Sequence, residues 1–241
     1  MRIENAEPVS IITRGAKELG IDLPPGADAA FRSYFEFLQE YSRDVNLTAI
    51  LGEEDVARLH FLDSLALLKV CGFTNARVID VGSGAGFPGV PVKLAAQSVE
   101  LTLLDATGKR VAFLSELCDV LGIGAKCVHA RAEDAARYAD MRECYDIALS
   151  RAVARLNILC ELCLPFISVG GMFIAMKGAD SDDEITEARS GIEMLGAQLQ
   201  ECFDYTIPGT DITHRAVLIR KTANTPEKYP RRFARIQKNP L

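Results

Sequence analysis

The stretch VIDVGSGAGFPG at residues 78–89 joins an apolar, β-branched run to a cluster of glycines. The run 78–81 predicts a buried strand, and the glycines that start at Gly82 predict a tight turn leading into a helix. Glycines at such a turn let a bound molecule approach the backbone closely, and the helix N-terminus offers free N–H groups. The stretch therefore predicts an α/β fold with a small-molecule site at the end of its first strand.

The sequence on either side of this turn indicates the architecture. Up to residue 68, apolar residues recur every three or four positions, which predicts helices. Beyond the turn, strand-like runs alternate with amphipathic stretches, as in a parallel sheet covered on both faces. The predicted helices are 90–96, 109–121, 157–166 and 183–195, and the predicted strands are 99–105, 125–130, 146–150, 172–177, 202–207 and 215–220.

The last two strands are separated by the short loop Pro208-Gly-Thr-Asp211, which is typical of a hairpin. The sequence therefore predicts a Rossmann-like, seven-stranded, mostly parallel sheet with a C-terminal antiparallel hairpin. We expect one compact unit of three parts: an N-terminal helical segment at 1–70, the α/β domain at 71–221, and a basic C-terminal tail at 222–241.

Composition restricts the class of protein. The chain has no apolar stretch of about 18 residues and no secretory leader pattern, so we expect a cytoplasmic protein without a membrane contact. Its seven cysteines are scattered through apolar segments, as reduced and buried thiols are. Only Cys160 and Cys163 have metal or redox spacing, and they lack a second Cys or His pair. We therefore predict no metal site.

Two adenosine cofactors fit the glycine turn. Gly84-x-Gly86-x-x-Gly89 formally matches the dinucleotide fingerprint, but the strand should end at Val81, so that the turn starts at Gly82 and this register is unfavourable. An acidic residue, Asp80, two positions before GxGxG instead resembles the first motif of methyltransferases, which implies S-adenosylmethionine. Asp105 ends the next strand about 20 residues further on, where a carboxylate can accept the ribose hydroxyls of either cofactor.

Taken together, these motifs resemble one family over nearly the whole chain, the small-subunit ribosomal RNA methyltransferase RsmG, also described as GidB. The order and spacing of the motifs make the resemblance specific. They are Asn46-Leu-Thr48, His60-Phe-x-Asp63-Ser64, the stretch 78–89, Leu104-Asp105 with Lys109-Arg110, Ala132-Glu133, Ser150-Arg151-Ala152, Gly170-Gly171 with Lys177-Gly178, and Thr225-Pro-x-Lys-Tyr-Pro-Arg231.

The resemblance implies methyl transfer from S-adenosylmethionine, leaving S-adenosylhomocysteine, to N7 of one guanosine in the decoding region of 16S rRNA. Residues 71–221 would form the methyltransferase domain, and the partner would be 16S rRNA or a small-subunit particle, with no obligate protein partner evident. The positions implied or predicted to hold the cofactor are Gly82, Gly84, Gly86, Phe87, Asp105, Ala132, Glu133 and Arg151. The chain departs from the family pattern after Arg232, where the usual Gly-x-Pro ending is absent.

The predicted chemistry needs no general base, because guanine N7 is a lone pair without a proton and the sulfonium donor is already activated. The sequence has no Asn/Asp-Pro-Pro-aromatic motif of amino-group methyltransferases and no Pro-Cys nucleophile. Arg151 is the candidate for positioning substrate or cofactor. His60 and Asp63 form either a structural pair or part of the cleft, and Asn46 with Thr48 is more simply a helix cap.

The C-terminal region carries seven basic residues from Arg220 onward and a single acidic one, although the whole chain has a net charge of −6. A basic tail on an acidic body indicates local contact with a polyanion, or alternatively a solvated tail. Tyr229, Phe233 and Ile236 could instead fasten the tail to the domain. The candidate RNA-binding residues are Lys109, Arg110, Lys177, Lys228, Arg231, Arg232 and Arg235.

Two rival functions remain open at the level of the sequence. A nicotinamide-dependent oxidoreductase would bind NAD and have no affinity for S-adenosylhomocysteine. A non-catalytic RNA-binding or cell-division module would need the basic tail but not an intact glycine turn.

Overall fold

The computed structural model describes residues 7–42, 47, 50 and 52–241. Two N-terminal helices, α1 (Pro8–Glu18) and α2 (Ala27–Tyr41), precede a continuous helical segment at 53–69, here α3. This segment begins as an α-helix at Glu53–Val56, widens to a π-helix at Ala57–Leu62, and ends in α-helical and 3-10 turns at Asp63–Leu65 and Ala66–Lys69. π-Helical turns are frequent at functional sites.

The predicted seven-stranded sheet is confirmed, in the order β3-β2-β1-β4-β5-β7-β6. Strands β1 to β5 run parallel, and β7 pairs antiparallel with both β5 and β6. The strands are β1 (Arg77–Val81), β2 (Glu100–Asp105), β3 (Ala125–His129), β4 (Tyr145–Arg151), β5 (Ile167–Gly178), β6 (Ala197–Thr206) and β7 (Thr213–Lys221).

Strand β5 begins five residues before the predicted 172–177, and the two glycines inside it explain the difference. Gly170 and Gly171 weaken a strand pattern, yet Gly171 lies where a Cβ would be 2.6 Å from the Asp146 carbonyl oxygen. The pairing with β4 is irregular at this point, between Tyr145 and Ile147. Glycine is therefore required where the two strands approach closely.

The remaining helices are α4 (Gly89–Ala95), α5 (Gly108–Leu121), α6 (Ala132–Ala135), α7 (Leu156–Cys163), α8 (Asp182–Met194) and α9 (Phe233–Lys238). Four of them lie close to their predicted positions, and the two short ones, α6 and α9, were not predicted.

The core of the protein lies on both faces of the sheet, because successive strand residues alternate between faces. Val78 packs with α1 to α5 on one face, and the next residue, Ile79, packs with α7 to α9 on the other. The N-terminal helices thus share a core with the sheet. The part boundaries at 70/71 and 221/222 stay a prediction.

One detail of helix packing departs from the sequence pattern. The periodicity of α5 predicts that Val111, Leu114, Leu117 and Leu121 face the core; Leu114 and Leu117 are buried and Leu121 packs against the core, but Phe113 and Cys118 are buried and Val111 is not. The helix is rotated because Phe113 packs against Phe37 at 5.5 Å and Tyr41 at 5.0 Å between ring centroids. The aromatic residues of α2 provide the larger apolar contact.

Within the described part of the chain, no helix combines the length and hydropathy that a bilayer crossing needs.

Candidate active site

The glycine turn follows β1 directly, as predicted, and its glycines differ in what surrounds them. Gly82 and Gly84 have positive φ values of +77° and +58°. A Cβ on Gly84 would meet only the Gly82 carbonyl, 3.9 Å away, so the turn borders open space there. A Cβ on Gly86 would lie 2.6 Å from the Tyr34 hydroxyl oxygen. Gly84 therefore leaves room for a ligand, whereas Gly86 leaves room for packing.

Two carboxylates hold the turn. Asp105, only 4% exposed, accepts hydrogen bonds from the Gly84 N–H at 3.0 Å and the Thr107 N–H at 2.8 Å. Asp80 is fully buried and accepts one from the Gly89 N–H at 2.8 Å. Burial raises the pKa of Asp80 to about 7. Its second oxygen, Oδ1, is buried and has no hydrogen-bond partner among the described residues.

Three cavities lie in a row along the carboxyl ends of the strands. The central one, which we call the glycine-loop cavity, has a volume of about 430 Å³ and is lined by Gly82, Gly84 and Asp105. The Glu133 cavity, of about 170 Å³, shares Gly82 and Asp105 with it. The His214 cavity, of about 460 Å³, shares His60, Arg151 and Ala152 with the glycine-loop cavity. Two ligands can thus lie side by side in adjoining cavities.

Arg151, at the end of β4, forms the wall between the glycine-loop and His214 cavities. Its guanidinium donates to the Leu59 carbonyl at 2.9 Å, to Asp63 at 3.0 Å and to His60 Nδ1 at 2.9 Å. It also lies 5.3 Å from the centroid of the Phe87 ring. Arg151 therefore fixes α3 against the glycine turn.

Asp63 is the centre of a buried polar network at the floor of the His214 cavity. It accepts hydrogen bonds from the Tyr205 hydroxyl at 2.7 Å and from His214 Nδ1 at 2.8 Å, in addition to its ion pair with Arg151. Burial raises the pKa of Asp63, but the His214 hydrogen bond, the Arg151 charge and the Tyr205 hydrogen bond outweigh it and hold the pKa below its usual value. The hydrogen bond to Asp63 raises the pKa of His214.

His60 and Phe87, which line the glycine-loop cavity, stack on each other. The Phe87 ring lies between Tyr34, at 5.1 Å, and His60, at 4.8 Å between centroids. Burial and the Arg151 charge lower the pKa of His60 to about 4. Since Arg151 can only donate, Nδ1 of His60 must accept, which requires the neutral ring.

Comparison with known proteins places this geometry in a family. The family model GidB, described as rRNA small subunit methyltransferase G, matches residues 27–208. The chain belongs to this family. Membership confirms the predicted family, and with it an S-adenosylmethionine-dependent methyltransferase. It also excludes the nicotinamide alternative.

Full-length relatives agree. The chain is 41% identical to the ribosomal RNA small subunit methyltransferase G of Clostridium tetani and 44% identical to that of Alkaliphilus oremlandii. Each alignment covers 96% of this chain and 98% of the relative.

Solved structures at low identity share the fold alone. A branched-chain polyamine synthase from Thermus thermophilus, in complex with N4-aminopropylspermidine and 5′-methylthioadenosine, has a TM-score of 0.62 at 12% identity, over 84% of this chain and 65% of its own. TYW2 of M. jannaschii in complex with AdoMet has a TM-score of 0.50 at 13% identity, over 65% of this chain and 74% of its own.

The structure brings most of the predicted cofactor residues of this family member together. Gly82, Gly84, Phe87, Asp105 and Arg151 line the glycine-loop cavity, and so does Arg110, which was predicted to bind RNA. Ala132 and Glu133 line the Glu133 cavity. Gly86 lies behind the turn against Tyr34.

The predicted RNA-binding residues are more scattered. Lys177 lines the His214 cavity, where its ammonium is paired with Glu184 at 2.7 Å. Lys109 is exposed at the start of α5. Asn46 and Thr48 lie outside the described residues, so the predicted cap there stays a prediction. Of the predicted residues in the tail, Lys228, Arg232 and Arg235 have exposed side chains.

Sequence reasoning missed four residues of this site: Tyr34, Val153, Tyr205 and His214. Val153 lines both the glycine-loop and Glu133 cavities, and its Cγ2 lies 2.5 Å from where a Gly82 Cβ would be. The sequence gives little indication that these four residues belong to the site, because each is a single residue outside any motif. Their positions depend on contacts between elements far apart in the chain.

Proposed function

We propose that this enzyme methylates N7 of a specific guanosine in the decoding region of 16S rRNA, with 16S rRNA or a small-subunit particle as its partner in the cytoplasm. The observation that carries the proposal is the row of adjoining cavities, in which the glycine-loop cavity shares the wall residues His60, Arg151 and Ala152 with the His214 cavity. Relatives named ribosomal RNA small subunit methyltransferase G support the choice of substrate.

The residues around the glycine turn fit S-adenosylmethionine. Gly84 leaves the backbone open where a Cβ would otherwise project, and Asp105, which lines the same cavity, has acceptor oxygens there. Ala132 and Glu133 would hold the adenine side, and Gly82 with Phe87 the methionine side. When bound, the cofactor supplies a methyl group on a positively charged sulfur.

The His214 cavity would receive the guanine base. Leu59, Met176 and Ile212 provide apolar walls, and Asp63, Arg151 and His214 provide the polar groups. Guanidinium donors and carboxylate acceptors complement the two kinds of edge that guanine presents. The cavity adjoins the cofactor cleft at Arg151, which would orient both ligands.

No residue needs to remove a proton in this reaction, because guanine N7 carries none. The neutral His60 is held as a hydrogen-bond acceptor by Arg151, and the Asp63 carboxylate is held by three donors. These groups are held in place and can therefore position the two reactants. Positioning by itself can lower the barrier of a bimolecular reaction by about 7–11 kcal/mol.

Exposed basic side chains of the tail and of α5 would contact phosphates around the target nucleotide. Lys228, Arg232, Arg235 and Lys109 suit this role because they are exposed. Arg231 does not, because its guanidinium is bound to the fully buried Glu161 at 2.6 Å. The proposed RNA surface therefore does not include Arg231.

The test is methyl transfer to unmodified 16S rRNA and to small subunits, followed by mapping of N7-methylguanosine through reductive cleavage of the chain. His214→Gln should raise the RNA KM or lower kcat about tenfold, since one base contact contributes about 1–3 kcal/mol. Its affinity for S-adenosylhomocysteine should not change. Arg77→Gln is the matched control, because Arg77 is exposed at the amino end of β1, the opposite end from the cavities.

Methylation of another atom or another rRNA region would contradict the proposal. So would the absence of transfer to either substrate by a protein that binds S-adenosylhomocysteine.

A further inference from the structure

The C-terminal segment after β7 is tied to the domain by charged groups. Glu161, on α7, is fully buried and accepts hydrogen bonds from the Arg231 backbone N–H at 2.7 Å and from its guanidinium at 2.6 and 2.8 Å. A buried carboxylate requires such partners, because an isolated charge in the interior is strongly destabilising. Arg231 therefore fixes the segment to α7.

A second arginine binds the backbone of the same segment. Arg142 donates to the carbonyl oxygens of Thr225 at 2.8 Å and Tyr229 at 3.0 Å. Glu143 accepts from the Thr225 N–H at 2.6 Å. Tyr229 is 6% exposed and packs in the core beneath. The path of the chain from residue 225 to 231 is thus set by side chains of the domain.

This path brings Phe233 to the edge of the cofactor cleft. Phe233, the first residue of α9, lines the Glu133 cavity together with Asp105, Ala132, Glu133 and Leu162. The ring is half-buried and packs against the same core as Ile236, one turn later and fully buried. Phe233 is therefore part of the wall of this cavity.

We propose that Phe233 is a cofactor-binding residue, and that the C-terminal segment completes the adenine side of the cofactor site. The proposal rests on the proposed function, which places the adenine of S-adenosylmethionine in the Glu133 cavity. A phenyl ring provides a flat apolar surface, and aromatic ring pairs gain stability beyond the area that they bury.

The Arg231–Glu161 ion pair explains how a residue near the chain end can be positioned accurately. Glu161 immediately precedes Leu162, and Arg231 lies two residues before Phe233. Leu162 and Phe233 both line the Glu133 cavity. The ion pair thus joins the two backbone segments that carry Leu162 and Phe233.

The test measures binding of S-adenosylhomocysteine and of 5′-methylthioadenosine by calorimetry to the full-length parent, Phe233→Ala and Phe233→Leu. Phe233→Ala should weaken both ligands by the same factor of about ten, or about 1.4 kcal/mol, because both carry the adenosine group. Phe233→Leu, which keeps an apolar wall, should recover most of the affinity. Gln237→Ala is the matched control, an exposed residue of the same helix, and should bind like the parent.

A merely structural role for Phe233 would lower the melting temperature of Phe233→Ala and leave both dissociation constants at the parent value, which would overturn the inference. Loss of affinity for S-adenosylhomocysteine alone would also overturn it, because the contact would then lie on the methionine side. Failure of the proposed function gives a different result: the parent binds both ligands but does not methylate 16S rRNA.

Discussion

Replacing Asp105 by alanine should weaken cofactor binding by about 1.5–3 kcal/mol, a factor of about 10 to 150 in Kd. The carboxylate already accepts the N–H groups of Gly84 at 3.0 Å and Thr107 at 2.8 Å, and each oxygen has a further lone pair that can accept a ribose hydroxyl. The substitution therefore removes charge-assisted acceptors from the ligand and also frees two backbone donors. We expect the free energy of unfolding to fall by about 1–3 kcal/mol as well.

Comparing 5′-methylthioadenosine with its 2′-deoxy analogue separates these two effects. If Asp105 accepts the 2′-hydroxyl, the parent should bind the deoxy analogue more weakly, and Asp105→Ala should bind both ligands with similar affinity. Calorimetry on both proteins gives the four dissociation constants. A deoxy penalty of the same size in both proteins would refute the contact between Asp105 and the 2′-hydroxyl.

The remaining predictions concern the turn, the wall and the tail. Gly84→Val should abolish S-adenosylhomocysteine binding, because the valine side chain would enter the cleft at a backbone φ of +58°. Gly122→Val, with a φ of +62° and open surroundings, is the control for backbone strain. Normal binding by Gly84→Val would show that the turn is merely structural. The pKa of His60 is about 4 in the folded protein and near 6.5 in the unfolded chain, so the unfolded chain binds the proton more readily. The free energy of unfolding should therefore fall by on the order of 3 kcal/mol as the pH drops from 6.5 to 4. Urea unfolding of His60→Gln should show a smaller fall; an equal fall in parent and variant would assign it to other groups. The triple variant Lys228→Gln, Arg232→Gln and Arg235→Gln neutralises the tail and retains Arg231. It should raise the RNA KM, leave the cofactor Kd unchanged, and reduce the slope of log affinity against log salt by roughly 0.7–0.9 for each lost phosphate contact. A slope equal to that of the parent would exclude RNA contact by these residues.

Local sequence was sufficient for the strands and the longer helices of the fold. The alternation of short β-rich runs with amphipathic stretches predicted a mostly parallel sheet and its C-terminal hairpin, because side-chain periodicity indicates which faces are buried. The glycine turn after Val81 was equally predictable, since few residues other than glycine adopt the φ of +77° found at Gly82.

The role of each glycine was not predictable from the motif. Gly84 faces the open cleft, whereas Gly86 accommodates the Tyr34 hydroxyl from α2. Both occupy the same GxGxG pattern. Which one faces a ligand depends on the helix packed behind the turn, and that helix lies some 50 residues earlier in the chain.

The sequence by itself determined the family, the sheet and the cofactor turn, because these follow from local patterns and from motifs in a fixed order. Only the tertiary structure decided the partners of the charged residues. Asp63, one helical turn from His60, instead binds Tyr205, His214 and Arg151, and Arg231 in the basic tail binds Glu161 and not solvent. A buried charge must be paired with whatever group the folded chain brings within reach, and neither charge pattern nor helical spacing specifies that group.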